Sequence, residues 1–170
     1  YMGSWWPDGV GGDLHKIDDW FEFNDAAQVS REFNVDGQLV LYTTTGGVKK
    51  KARYRWSWRR ENMKGLDDDY SNFFELIDVM NMDHTSPEYA ALAPAIIDYD
   101  EWMRTLAIEH IIRNWDSFGY NRGKNMSTYK PLNDRWKLIM WDLDHSHLTG
   151  NPNDNSLFSI NCPTMRNKFF

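Results

Sequence analysis

Cysteine is almost missing from this chain: Cys162 is the only one among 170 residues. An internal disulfide is therefore excluded, and the fold does not depend on an oxidising compartment. Long apolar runs are missing too. No stretch approaches the roughly 20 residues that span a bilayer, and the first residues carry no signal-peptide pattern. A basic excess is absent: 19 Lys and Arg stand against 25 Asp and Glu, a net charge of −6, which argues against a dedicated nucleic-acid binder. Internal repeats and low-complexity tracts are absent as well.

Large side chains are plentiful. Hydrophobic residues make up 41% and aromatics 15%, with nine Trp, so a packed core built around big rigid rings is expected. The chain opens with "YMGSWW" and stops at "RNKFF". Neither end is polar or tapering, and the expectation is one domain, residues 1–170, that is a piece of a longer protein.

Along the chain, "LHKIDDWFEF" has spacing that fits either a short strand or an irregular segment, with Trp20, Phe21 and Phe23 as core candidates. Gln38 to Arg59 reads as a β-hairpin turning at Gly46-Gly47. Its return strand alternates Tyr54, Trp56 and Trp58 with Arg53, Arg55 and Arg59, aromatic face in and basic face out. Asp67 to Asp69 precede an amphipathic helix over 69–81. Ser86-Pro87 opens a second helix that Pro94 should break or kink. Asp98 or Asp100 caps a third, whose apolar stripe is expected at Met103, Ala107, Ile108, Ile111, Ile112 and Trp115, widened by Trp102 and Leu106. His110 reads as a buried structural histidine. Residues 125–132 and 136–142 read as two strands joined at "NDR". Strands, then helices, then a small hairpin indicate an α+β fold.

The chemistry concentrates near the end of the third helix. Asp116 follows it in a loop with Gly119 and Gly123, and Asn121 lies five residues on. Asp142 and Asp144 close the apolar strand Leu138-Ile139-Met140-Trp141, and alternation would send both carboxylates to one face. Two carboxylates so placed repel unless a cation or proton lies between them. Oxygen donors suit Mg²⁺ or Mn²⁺. An Asp, an Asn five residues later and a separate Asp after a strand is also the arrangement of a protein-kinase site. Two other readings stay open. "DLDHSH" could let Asp142, Asp144, His145 and His147 hold Zn²⁺ or Mn²⁺ in a hydrolase, and the aromatic surplus suits a non-catalytic interaction module. Cys162 has no recognisable His–Asp partner set and is assigned no chemistry.

"NWDSFGYNRGKNMSTYK" followed by "WKLIMWDLDHS" resembles the catalytic core of the spore-coat CotH family of atypical kinases, most strongly over residues 98–148 and more faintly from residue 11. The resemblance implies a kinase-like C-terminal lobe that transfers the ATP γ-phosphate to a Ser, Thr or Tyr hydroxyl of a protein, with Mg²⁺ or Mn²⁺. It implies that Asp116 orients or deprotonates the acceptor and that Asp142 holds metal. Asp144 becomes a second ligand or a support, Asn121 and Asn125 compete for the amide ligand, and Asn114 holds the loop. It also suggests a coat or cell-surface setting. The family's Gly after Trp-Asp-x-Asp is displaced here to Gly150, so His147 is either a local substitution or an extra ligand. No Gly-rich phosphate loop and no Lys–Glu nucleotide anchor is recognisable. Lys16 is a candidate phosphate contact, expected in a loop. The expected partners are a protein substrate and the rest of the parent chain, without nucleic acid or membrane.

Overall fold

The computed structural model describes residues 11–18, 20–23, 31–35, 37–61, 69–114, 117–118 and 123–146. Its main sheet has four antiparallel strands in the order β4-β1-β5-β6: β1 is Asp13–Ile17, β4 Trp58–Arg60, β5 Met126–Lys130 and β6 Lys137–Met140. Two further strands, β2 (Trp20–Phe23) and β3 (Arg31–Val35), pair with each other, with an irregularity between Trp20 and Phe21. Four helices complete the described fold, α1 (Lys51–Ser57), α2 (Ser71–Met80), α3 (Pro87–Ile96) and α4 (Tyr99–Ile111). The α+β expectation holds. No helix among the described residues is long and apolar enough to cross a membrane.

One face of the sheet is sealed by aromatic rings. His15, Ile17, Trp58, Met126, Thr128 and Leu138 are buried there, and the α2 ring Phe73 stacks on His15 and tilts against Trp58. Trp102, Trp136 and Phe118 are also fully buried. Among the described residues these rings serve the core, since large rings bury much area at little entropic cost, while Trp141 is exposed.

The expected hairpin over 38–59 is corrected. Only its tip exists: Thr43 bridges Lys49, and Gly47, at φ 81, turns the chain. Residues 38–42 pair with no strand because side chains occupy their backbone groups. Tyr54 donates its hydroxyl hydrogen to the Val40 carbonyl and accepts from the Tyr42 N–H, both at 2.8 Å. Asn81 accepts from the Leu41 N–H and donates to the Leu39 carbonyl. The supposed return strand is α1 as far as Ser57, and only its end, Trp58 and Arg59, is strand, in β4 against β1. Tyr54 and Ser57 are buried at helical spacing while Ala52 and Arg55 are exposed, and Lys, Ala and Arg are good helix formers. Three alternating aromatics were too short a pattern to outweigh that.

The other helices follow their punctuation. Ser86 caps α3 through the Tyr89 N–H, and the helix runs through Pro94 to Ile96. Asp98, rather than Asp100, caps α4. The α4 stripe is corrected: Trp102, Thr105, Leu106, Glu109 and His110 are buried, whereas Ile108 and Ile111 are 41% and 65% exposed. The helix turns its Thr105–Glu109 line inward because its start is bolted to β6. Ile97 bridges Trp136 in parallel, Trp102 Nε1 donates to the Trp136 carbonyl at 2.8 Å, and Glu101 accepts the Leu138 N–H at 2.9 Å. Lys137 joins Asp98 at 2.6 Å and Asp134 at 2.9 Å. β6 is an edge strand, and the Glu101 carboxylate closes one of the donors it would otherwise present.

Candidate active site

Register defines the site. Met126 pairs with Met140 as the last rung between β5 and β6, so Asn125 and Asp142 lie just beyond the same end of that hairpin. The C-terminal end of α4 reaches the same place: Asn114 points Nδ2 at the Asp142 carbonyl, a long contact of 3.5 Å. Arg113, Asn125 and Asp142 are the non-glycine residues with left-handed backbone among the described residues, at φ 55, 58 and 60. Asn and Asp tolerate that region better than most side chains, and Arg does not. Such conformations persist only where surrounding structure enforces them, and they gather at functional sites.

The expectation that Asp142 and Asp144 share a strand face is corrected. β6 ends at Met140, Asp142 adopts φ 60 and ψ 64, and Leu143–His145 forms a 3-10 turn. One left-handed residue abolishes the period of two on which alternation rests. Both aspartates are exposed, and the Asp142 side chain does not cap the turn it precedes.

The remaining expected residues divide. Asn125 is 7% exposed and Asn114 fully buried. Lys16 lies in β1, not in a loop. It is directly opposite Ser127 and one pair in from the same sheet end, and its ammonium is 3.4 Å from Asp18. Asp116, Asn121 and His147 lie outside the described residues, as does the side chain of His145. The base of the loop that carries Asp116 and Asn121 is nonetheless described. Ser117 donates both its N–H and its hydroxyl to the Asn114 carbonyl, and the Phe118 N–H donates to the Lys124 carbonyl at 2.7 Å. The Gly37 N–H donates to the Gly123 carbonyl at 2.7 Å, so close that a Cβ on Gly37 would overlap that oxygen and Ile17. Among the described residues no three His, Cys, Asp or Glu side chains gather at one point.

Glu109 was missed. It is fully buried, and neither carboxylate oxygen has a hydrogen-bond partner among the described residues. Burial pushes its carboxyl pKa up, and the nearby Asn114 and Ser117 side chains pull it partly back. The signal that could have found it is spacing. Glu109 is four residues from Thr105 and seven from Trp102, hence on their face of the helix.

No curated protein and no solved structure matches the chain. A protein-family model does, that of the CotH kinase protein, over residues 24–167. That span takes in both strands of the β5–β6 hairpin, the end of α4 and the loop between them, and on its extent the chain belongs to the CotH kinase family.

Proposed function

We propose that the chain is the catalytic part of a phosphotransferase that moves the γ-phosphate of ATP to a Ser, Thr or Tyr hydroxyl of a protein. The observation that carries this reading is the convergence of Asn125, Asp142 and the end of α4 on one end of the β5–β6 hairpin, each with left-handed backbone. Family membership supports it: kinase-like chemistry in general uses ATP and a divalent cation.

In this reading Asp116 orients the acceptor hydroxyl and takes its proton as the new O–P bond forms and ADP leaves. Asp142 holds Mg²⁺ or Mn²⁺ together with Asn125 or Asn121, and Asp144 is a second ligand or a support. The residues present fit such an ion. The donors are carboxylate and amide oxygens, which hard cations prefer, and the exposed Asp142 carboxylate is not used as a helix cap. A bound divalent cation supplies neutralisation of charge on the phosphate oxygens. Lys16, at the same end of the sheet, is the candidate phosphate contact.

The test is calorimetric titration of ATP with Mn²⁺ or Mg²⁺ into the chain and into Asp142→Ala, beside transfer of labelled γ-phosphate to a polypeptide acceptor. Metal-dependent binding that falls at least tenfold in Asp142→Ala, with labelling lost in Asp116→Ala, is expected. Binding that Asp142→Ala leaves unchanged would refute the assignment.

A further inference from the structure

The loop that carries Asp116 and Asn121 closes at its base, where the Phe118 N–H donates to the Lys124 carbonyl at 2.7 Å. On one side that base is held by packing. The Phe118 ring is fully buried, edge-on to Trp58 at 5.7 Å and to Trp102 at 6.3 Å. On the other side stands Gly37, whose N–H donates to the Gly123 carbonyl at 2.7 Å. Gly123 is two residues before Asn125, so this bond fixes the chain where it re-enters β5.

Gly37 reaches that carbonyl because it has no side chain. A Cβ there would stand 2.5 Å from the Gly123 oxygen and 3.1 Å from the Ser57 oxygen, and would overlap Ile17 Cγ2. Its backbone is not left-handed, so the need is for close approach alone, which glycine permits. The segment that presents Gly37 is fixed in turn. Leu39 is fully buried, and its carbonyl accepts from Asn81 at the end of α2 at 2.9 Å. Tyr54 of α1 binds Val40 and Tyr42, and the Ser57 carbonyl accepts from the Asp18 N–H at 3.0 Å.

We propose that Gly37 is a positioning residue for the phosphotransfer site: its bare Cα lets the framework of α1, α2 and β1 grip the Gly123 carbonyl, and that grip sets the re-entry of the loop at Asn125. The role rests on the kinase reading for its consequence in catalysis. The grip itself is tested without nucleotide.

Gly12 supplies a matched control. A Cβ on Gly12 would overlap the Lys130 carbonyl oxygen and stand 2.9 Å from Pro131 Cα, at the opposite end of the sheet, where Asp13 pairs with Lys130. Gly37→Ala and Gly12→Ala therefore introduce backbone clashes of one kind, near the site and far from it. Circular dichroism and a urea melt verify folding. Amide hydrogen exchange of the full chain is then read at Phe118, against α2 as the reporter of global unfolding. In Gly37→Ala the Phe118 amide should exchange about tenfold faster, the size of one lost buried hydrogen bond. In Gly12→Ala it should stay within about threefold of wild type. An amide-to-ester replacement at Gly37 deletes the N–H without adding bulk. It carries the test if Gly37→Ala does not fold, with the same tenfold rise expected. Unchanged exchange at Phe118 when Gly37 is altered would overturn the proposal, as would an equal rise in Gly12→Ala. Mn²⁺-ATP should bind about tenfold more weakly to the Gly37 variants and as in wild type to Gly12→Ala. Equal binding by wild type and the Gly37 variants would overturn the positioning role. If exchange responds as expected but wild type binds no nucleotide, the grip holds and the kinase reading fails.

Discussion

Lowering the pH should destabilise this fold through one side chain, His15. It is 1% exposed, with ring centroids of Phe73, Tyr70 and Trp136 within 5.6 Å. Nδ1 is 3.1 Å from the Trp58 carbonyl, which can only accept, so Nδ1 carries the hydrogen. Burial lowers its pKa from 6.5 to about 4, against the opposing pull of the Trp58 carbonyl and Asp13 and with a small contribution from Arg60. The folded pKa lies below the unfolded one, so the unfolded chain takes up the proton first. Stability is full above pH 6.5, falls as pH drops through the window from 6.5 to about 4, and levels off below it. The depression of about 2.5 units corresponds to about 3 kcal/mol across the whole window, of which about 2.5 kcal/mol is gone at pH 4.5. Carboxylates titrate in the same window, so the assay needs a reference that lacks only this group. His15→Phe keeps an aromatic ring in the cluster and cannot titrate. Urea unfolding of both proteins at pH 7.5, 6.5, 5.5 and 4.5 should show a stability difference that is flat above pH 6.5 and shifts against wild type by about 2.5 kcal/mol at pH 4.5. Parallel curves would refute the reasoning, because they would mean that the ring ionises as easily in the core as in water.

Other substitutions probe the scaffold and the site. Glu101→Ala removes the acceptor of the Leu138 N–H and should cost about 1–3 kcal/mol by urea unfolding, with Glu101→Gln nearer wild type. Tyr54→Phe removes the hydroxyl that serves both Val40 and Tyr42. It should cost about 1–2 kcal/mol and speed hydrogen exchange at Tyr42. Asp142 stands at φ 60, so Asp142→Gly should stay within about 1 kcal/mol of wild type while Asp142→Val loses about 1–2 kcal/mol. Both should lose metal-dependent ATP binding in the calorimeter. Retention of binding in Asp142→Gly would show that the carboxylate is not a ligand.

Much of the framework was legible because it rests on local signals. Ser86-Pro87 and Asp98 mark the starts of α3 and α4 by capping chemistry. The apolar run before Trp-Asp-x-Asp marks β6, and the motif itself leads to the family. Nonlocal chemistry was not legible. Residues 38–42 have the composition of a strand, yet Tyr54 and Asn81 satisfy their backbone groups from elsewhere in the chain. In α4, apolarity pointed to Ile108 and Ile111, which are exposed, while Thr105, Glu109 and His110 lie inside. Hydrophobic periodicity cannot announce a buried polar line, because such residues are not buried for their own transfer energy. The same limit applies to Asp142: alternation assumes that the strand continues, and the strand stops one residue before Trp141.

The convergence at the site follows from two arms that leave a common joint. Ile97 and Trp136 form a parallel bridge, and Asp98, Glu101 and Trp102 bind the start of α4 to the start of β6. From that joint the helix Tyr99–Ile111 rises about 20 Å, at about 1.5 Å per residue, and the chain reaches Asn114 three residues on. The strand Lys137–Met140 covers about 13 Å, at about 3.3 Å per residue, and the chain reaches Asp142 two residues on. The two arms start together at the joint, and their continuations bring Asn114 beside Asp142. Each arm must then turn sharply within a residue or two, and the chain does so in left-handed backbone at Arg113 and at Asp142, with Asn125 doing the same where the loop re-enters the sheet. The strain at this end is therefore a consequence of rigid arms meeting at a fixed point. The rigidity that imposes it is also what a phosphotransfer site requires, since its catalysis rests on holding oxygen donors still.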